Sequence, residues 1–170
     1  MVRGNWFRFG YACVNFGKPF SMKTYLAQNQ LDMRKLEKEE RFKKVALLAD
    51  ILMTEVGRIV PVLPVALVAK TLCDQYPRRI DTLSLKAKVN ALIEKLTGAG
   101  AHVYLPREDR DYAITVGLRM LTLRSLIEEE EGQFRAKQGQ LPVLAYYANS
   151  IAHFDQEPGP DPERDRQITT

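Results

Sequence analysis

His102 and His153 are the natural starting points for chemistry, because imidazole titrates near neutral pH and is the commonest general base. A base of this kind needs a partner to orient it. In a His-x-x-x-x-Asp dyad the carboxylate lies five residues downstream, but Arg107 stands at that distance from His102 and Pro158 from His153. Neither histidine has its carboxylate. His102, between Ala101 and Val103, reads as a hydrogen-bonded structural residue, and His153, near Asp155, as a cap or a paired surface group. Asp109, Asp111 and the run Glu128 to Glu131 supply carboxylates without the spacing of a calcium or zinc site. Cys13 and Cys73, sixty residues apart, form neither a zinc knuckle nor a disulfide framework and read as free thiols of a reducing cytoplasm. Gly98-Ala-Gly100 lacks the third glycine and the preceding strand of a dinucleotide loop, and no nucleophile elbow or phosphate loop occurs. The residues thus assign no catalytic group, no metal ligand and no cofactor, and they leave substrate-binding residues unassigned.

A chain of 170 residues with 45% hydrophobic and 27% charged residues is sized for one main core. Its formal net charge of +4 comes from interspersed Lys, Arg, Asp and Glu. That is too diffuse to announce a polyanion partner, although it is compatible with an acidic membrane surface. The opening Met1 to Gly10 lacks the apolar run of a secretory signal.

The elements that must position these side chains are organised around Arg58 to Leu72, the most apolar stretch. Its uncharged run from Ile59 to Ala69 is far short of the roughly 20 residues that span a bilayer. Pro61 and Pro64 bias Val60 and Leu63 toward extended geometry, so a helix is expected to start near Pro64 and to be buried nearly all round through Leu72. Before this joint, Tyr11 to Phe16 reads as a short strand and Ser21 caps a short helix. A longer helix ends at Gly57, its stripe formed by Phe42, Val45, Ala49, Leu52 and Val56, with Arg41, Lys43 and Lys44 on a solvated side. After it, Tyr76 to Arg79 breaks the chain. Thr82 or Ser84 caps a helix burying Leu85, Val89, Leu92 and Leu96, and Asp109 or Asp111 opens one burying Ala113, Val116, Met120, Leu123 and Ile127. Gly132 turns a strand pair, and Pro142 opens a last helix that turns Leu144, Tyr147 or Ala148, and Ile151 inward.

The expected fold class is therefore mainly α: a multi-helix domain with a winged-helix-like arrangement of three helices and a small hairpin, preceded by one strand without a sheet. Residues 1–30, 31–57, 58–154 and 155–170 are expected to form an N-terminal remnant, a connecting helix, a helical domain and a disordered Pro-rich tail.

Four stretches resemble the C-terminal portion of bacterial glycerol-3-phosphate acyltransferases: Val14-Asn-Phe-Gly-Lys-Pro-Phe-Ser, Val60-Pro-Val-Leu-Pro-Val-Ala-Leu-Val-Ala, Asp111-Tyr-Ala through Gly117-Leu-Arg-Met-Leu, and Leu144-Ala-Tyr-Tyr-Ala-Asn-Ser-Ile-Ala-His. Lys18 departs from the acidic residue often found there. The resemblance implies that Tyr11 to Phe16 is the last strand of an α/β acyltransferase domain. It also implies that the His-x-x-x-x-Asp base, which acts on the 1-hydroxyl of glycerol 3-phosphate, lies upstream of Met1. The acyl donor would be a thioester of coenzyme A or acyl carrier protein, and the product lysophosphatidic acid. The implied partner is a catalytic acyltransferase domain or polypeptide, and the implied location is cytoplasmic, peripheral at the inner face of the cell membrane. The alternative from a different class is a winged-helix nucleic-acid-binding module reading DNA through residues 111–127. Arg119 and Arg124 favour it, whereas the four glutamates of the wing would repel phosphate, so nucleic acid is the disfavoured partner.

Overall fold

The computed structural model describes residues 11–155. Met1 to Gly10 and the tail beyond Asp155, and so the expectations attached to them, lie outside the described residues. By internal contacts the chain divides into two compact units, one of Val14–Val60 and one running from Pro61 onward together with the residues up to Cys13.

The first unit contains α1 (Met22–Gln28) and α2 (Lys38–Ile59). Ser21 caps α1, its hydroxyl accepting from the Thr24 N–H at 3.3 Å. Glu39 and Glu40 in the first turn of α2 and Arg58 in the last complement the helix dipole. Val60 leaves the helix with φ −66° and ψ 120°, the extended geometry that the following Pro61 demands. Tyr11 to Phe20 carries neither helix nor strand, which corrects the expected strand at Tyr11 to Phe16. A strand exists only by pairing, and among the described residues none pairs with it. Asn15 instead donates to the Ile59 carbonyl at 2.8 Å, and Gly17 lies against the Ile59 side chain.

The second unit is built on α3 (Pro64–Gln75). Pro64 occupies its first turn and Leu63 its extended cap, so the prolines place the helix start as expected. Between the prolines, Val62 forms a parallel bridge with Val103: its N–H donates to the His102 carbonyl and its own carbonyl accepts from Tyr104, both at 2.9 Å. Pro64 to Ala69, Thr71 and Leu72 are all buried, so α3 runs through the core and packs against α4 (Thr82–Gly98), α5 (Arg110–Leu123) and α6 (Leu141–Asn149). Thr71, polar and buried, donates back to the Leu67 carbonyl at 2.9 Å.

Three strands complete the unit: β1 (Ile80–Asp81), β2 (Ile127–Glu130) and β3 (Gln133–Ala136), in the antiparallel order β1-β3-β2. Glu131 and Gly132 turn β2 into β3 with φ of 50° and 74°, the paired positive values of a tight hairpin. Helix, strand, two helices and two strands in succession is the winged-helix order, and the chain is mainly helical, as expected.

Three expected details change. Asp81, rather than Thr82 or Ser84, caps α4, accepting from the Ser84 N–H at 2.9 Å and from its hydroxyl at 2.7 Å. On α5 the buried residues are Ala113, Ile114, Gly117 and Leu121, whereas Leu123 is 50% exposed and Ile127 has already entered β2. On α4, Ile93 takes the fully buried place expected for Leu92, which flanks the core half-buried. The shift on α5 has one cause. A Cβ on Gly117 would lie 2.7 Å from the Pro64 carbonyl oxygen and 2.8 Å from Val68 Cγ2, so the missing side chain is itself the contact surface.

Gly117→Ala should therefore cost about 1–3 kcal/mol through overpacking. At Gly98 a Cβ would meet nothing within 4 Å, and Gly98→Ala should gain roughly 0.4–1 kcal/mol by restricting the unfolded chain. Urea unfolding midpoints compare the two; equal shifts would contradict the close approach of α5 to α3.

Candidate functional site

The side chains considered for chemistry are dispersed and mostly engaged in structure. His102, expected to be a hydrogen-bonded structural residue, contributes its backbone carbonyl to the Val62 bridge and is exposed. The ring of His153 stacks on Phe154 with centroids 4.0 Å apart. Asp109 caps α5, accepting from the Tyr112 N–H at 3.0 Å, and Asp111 pairs with Lys86 at 3.1 Å. Among the described residues no group of three His, Cys, Asp or Glu is placed to hold a metal ion. Burial pushes the Cys73 thiol upward, away from the reactive thiolate.

The glutamate run of the hairpin is partly neutralised. Glu128 lies directly across from Arg135 in the β2-β3 register and pairs with it at 2.8 Å, and the Arg79 guanidinium joins Glu128 and Glu130 from the β1 side. The Arg135 hydrogen bond, reinforced by the charges of Arg135 and Arg79, holds the Glu128 carboxyl below its ordinary value. Three arginines near α5 are similarly occupied, while Arg119 on α5 itself is exposed: Arg110 pairs with Glu94 at 3.2 Å, Arg107 lies 4.2 Å from the centroid of Tyr112, and Arg124 lies 5.2 Å from that of Tyr147. These pairs knit the helices and the hairpin together, and they lend the nucleic-acid alternative no support.

A second ionic cluster closes the end of the second unit. Asp155 accepts from Lys95 of α4 at 2.6 Å and lies 3.9 Å from Lys70 of α3, which also pairs with Asp74 at 2.7 Å. The turn that follows α6 is thereby tied to both helices. The Lys95 hydrogen bond leads in holding the Asp155 carboxyl below its ordinary value, while the hydrogen bond to Asp74 leads in raising the Lys70 ammonium.

The most distinctive surface belongs to the first unit. Its buried apolar side chains are Tyr25 and Leu48, whereas Phe42, Val45, Leu52, Met53 and Val56 are all exposed, from 38% at Leu52 to 65% at Met53. The expected stripe on α2 is present as a pattern but faces solvent. The side of α2 that is covered carries Leu48, with Ile51 and Ile59 half-buried.

A family model described as the glycerol-3-phosphate acyltransferase C-terminal region matches residues 3–158. The chain belongs to that family. Comparison with curated proteins and with solved structures gave no significant match. As the C-terminal region of a glycerol-3-phosphate acyltransferase, the chain has a catalytic domain as its implied partner. No helix among the described residues is long and apolar enough to cross a membrane. Three of the four stretches that carry the sequence resemblance fall on α3 and on α5 and α6, which pack against it. Gly117 in one stretch lies against Pro64 and Val68 in another.

The Asp155 cluster yields a pH-dependent expectation. A carboxyl whose folded pKa lies below its unfolded value adds stability above the unfolded value, near 3.8, and loses it as the pH falls through the folded one. Asp155→Asn should lower stability at pH 7 by about 0.5 kcal/mol, since the 37% exposed side chain is screened by solvent. The gap between variant and parent in urea unfolding should close on acidification below the folded pKa; a gap that persisted there would assign the effect to packing instead of charge.

Proposed function

We propose that the chain serves as the C-terminal region of a glycerol-3-phosphate 1-O-acyltransferase of phospholipid biosynthesis, and that the chemistry is done by a catalytic region outside it. The family match over residues 3–158 is the observation that carries this reading. In the reaction, a general base removes the proton of the 1-hydroxyl of glycerol 3-phosphate as its oxygen attacks the thioester carbonyl of an acyl donor on coenzyme A or acyl carrier protein. The thiol leaves, and lysophosphatidic acid forms at the inner face of the membrane. A positioned imidazole with a carboxylate behind it suits that proton transfer. Arg107 and Pro158, at the places where such a carboxylate would follow His102 and His153, do not supply one.

The part assigned to this chain is structural. Its second unit is a helical core that needs no ligand to account for its buried residues, and its first unit leaves apolar surface that a partner would cover. Work at the membrane surface would be peripheral.

Incubated alone with palmitoyl-coenzyme A and labelled glycerol 3-phosphate, the purified chain should form no lysophosphatidic acid above a buffer blank. Turnover above that blank would place a catalytic base within these 170 residues and overturn the proposed division of labour.

A further inference from the structure

We infer that the exposed face of α2 formed by Phe42, Val45, Ala49, Leu52, Met53 and Val56 is the surface onto which the catalytic region of the acyltransferase docks; the inference rests on the proposed function above. The residues recur at helical spacing, so they share one face, and between Phe42 and Val56 that face carries no Asp, Glu, Lys or Arg. It runs about 20 Å along the helix. Small Ala46 and Ala49 lie at its middle, between Phe42 and Val45 at one end and Leu52, Met53 and Val56 at the other, which lets an apolar partner approach closely.

Three observations choose the occupant. First, the unit that bears this face buries few large apolar side chains of its own, namely Tyr25 and Leu48, so it gains most from being covered. Second, the charges of α2 do not suit a lipid surface. A helix lying on an anionic bilayer is rich in Lys and Arg on its polar side, whereas Lys38–Ile59 holds five Lys and Arg against four Asp and Glu, net +1. Glu39 and Asp50 border the face on one side, where they would meet the headgroups. On the other, Arg41 donates to the Leu36 carbonyl and Glu55 pairs with Arg58. Third, the five large side chains of this face, each between 38% and 65% exposed, offer less surface than the roughly 800 Å² per partner of a stable interface between separate proteins. A second copy meeting it in solution would be held weakly. A catalytic region can reach past this face to other parts of the chain and so bury more area than the face alone offers. The family match supplies that region, because a C-terminal region implies a catalytic domain.

Met53→Glu and Phe42→Glu each put a charge on the inferred contact, one toward either end, while Leu47→Glu alters an exposed leucine, 50% accessible, on the opposite side of the same helix. The probe is the recombinant catalytic region of a bacterial glycerol-3-phosphate acyltransferase that lacks its own C-terminal region. Its binding to the full 170-residue chain is followed by calorimetry, and acyl transfer by the mixture by lysophosphatidic acid formation. The parent chain and Leu47→Glu should bind and raise activity alike, and the two face variants should bind roughly tenfold or more weakly with unfolding midpoints near the parent's. Face variants that bind like the parent would overturn the docking face and leave the proposed function standing. No binding or activation by the parent chain would overturn the proposed function, and the docking face with it. Parent chain that instead floats with phosphatidylglycerol vesicles, and loses this with Met53→Glu, would make lipid the occupant. Concentration-dependent dimers abolished by the same substitution would make it a second copy.

Discussion

The second unit depends on a single helix that has no solvent face to spare. With residues from Pro64 to Ala69, Thr71 and Leu72 buried, α3 must find cover on every side, and α4, α5, α6 and the small sheet arrange themselves to supply it. Its first turn has to be proline-started, because a start that needed backbone donors would strand them in the core. Its tightest neighbour has to be a glycine, because Gly117 sits where even a methyl group would press on the Pro64 carbonyl. Backbone and side-chain demands therefore coincide at one turn. Val62, just before that turn, is fully buried and is pinned by hydrogen bonds with His102 and Tyr104, which fixes the direction from which the chain enters the core.

Charge acts at the periphery of this arrangement. The clusters at Arg79, Glu128, Glu130 and Arg135, and at Lys70, Asp74, Lys95 and Asp155, join elements far apart in sequence. Exposed pairs of this sort contribute little energy each. Their value lies in geometry: β1 is held to the hairpin, and the turn after α6 is held to α3 and α4, where the apolar contacts alone would leave the ends free to fray. The same pairing removes these groups from the roles that isolated acidic and basic residues first suggest. A carboxylate run that could pass for a metal site is instead partly neutralised by arginines across a sheet.

Much of the fold was legible in the sequence, and for definable reasons. Pro61 and Pro64 act on the backbone directly, so the α3 start was readable; Gly132 with its positive φ likewise marked the hairpin. The buried face of α5 was not, because periodicity counts apolar side chains, and the decisive residue, Gly117, has none. Asp81 escaped as the α4 cap because it also ends a two-residue strand, too short to register as a pattern. Tyr11 to Phe16 shows the converse limit: aromatic and β-branched residues express a strand only where a neighbouring edge receives them. The candidate surface was legible as a stripe and misread as to its cover, since periodicity tells that a face is apolar but not which part of a protein will bury it.

That distinction bears on how the two units came to differ. In the second unit, sequence and structure agree that Leu85, Val89 and Leu96 of α4 are inside; in the first, α2 carries an equally regular apolar stripe and leaves it in solvent. Random drift toward exposed apolar residues would scatter them around the helix, as exposed hydrophobics are scattered on most surfaces. Here all the large ones but Leu47 share one face, which carries no charge between Phe42 and Val56, and Leu48 is turned to another side. A helix with two distinct apolar sides, one covered by its own unit and one bare, is the pattern of an element placed between two bodies. On the docking inferred above, α2 would join a chain of this C-terminal region family to its catalytic region without itself contributing a reactive group.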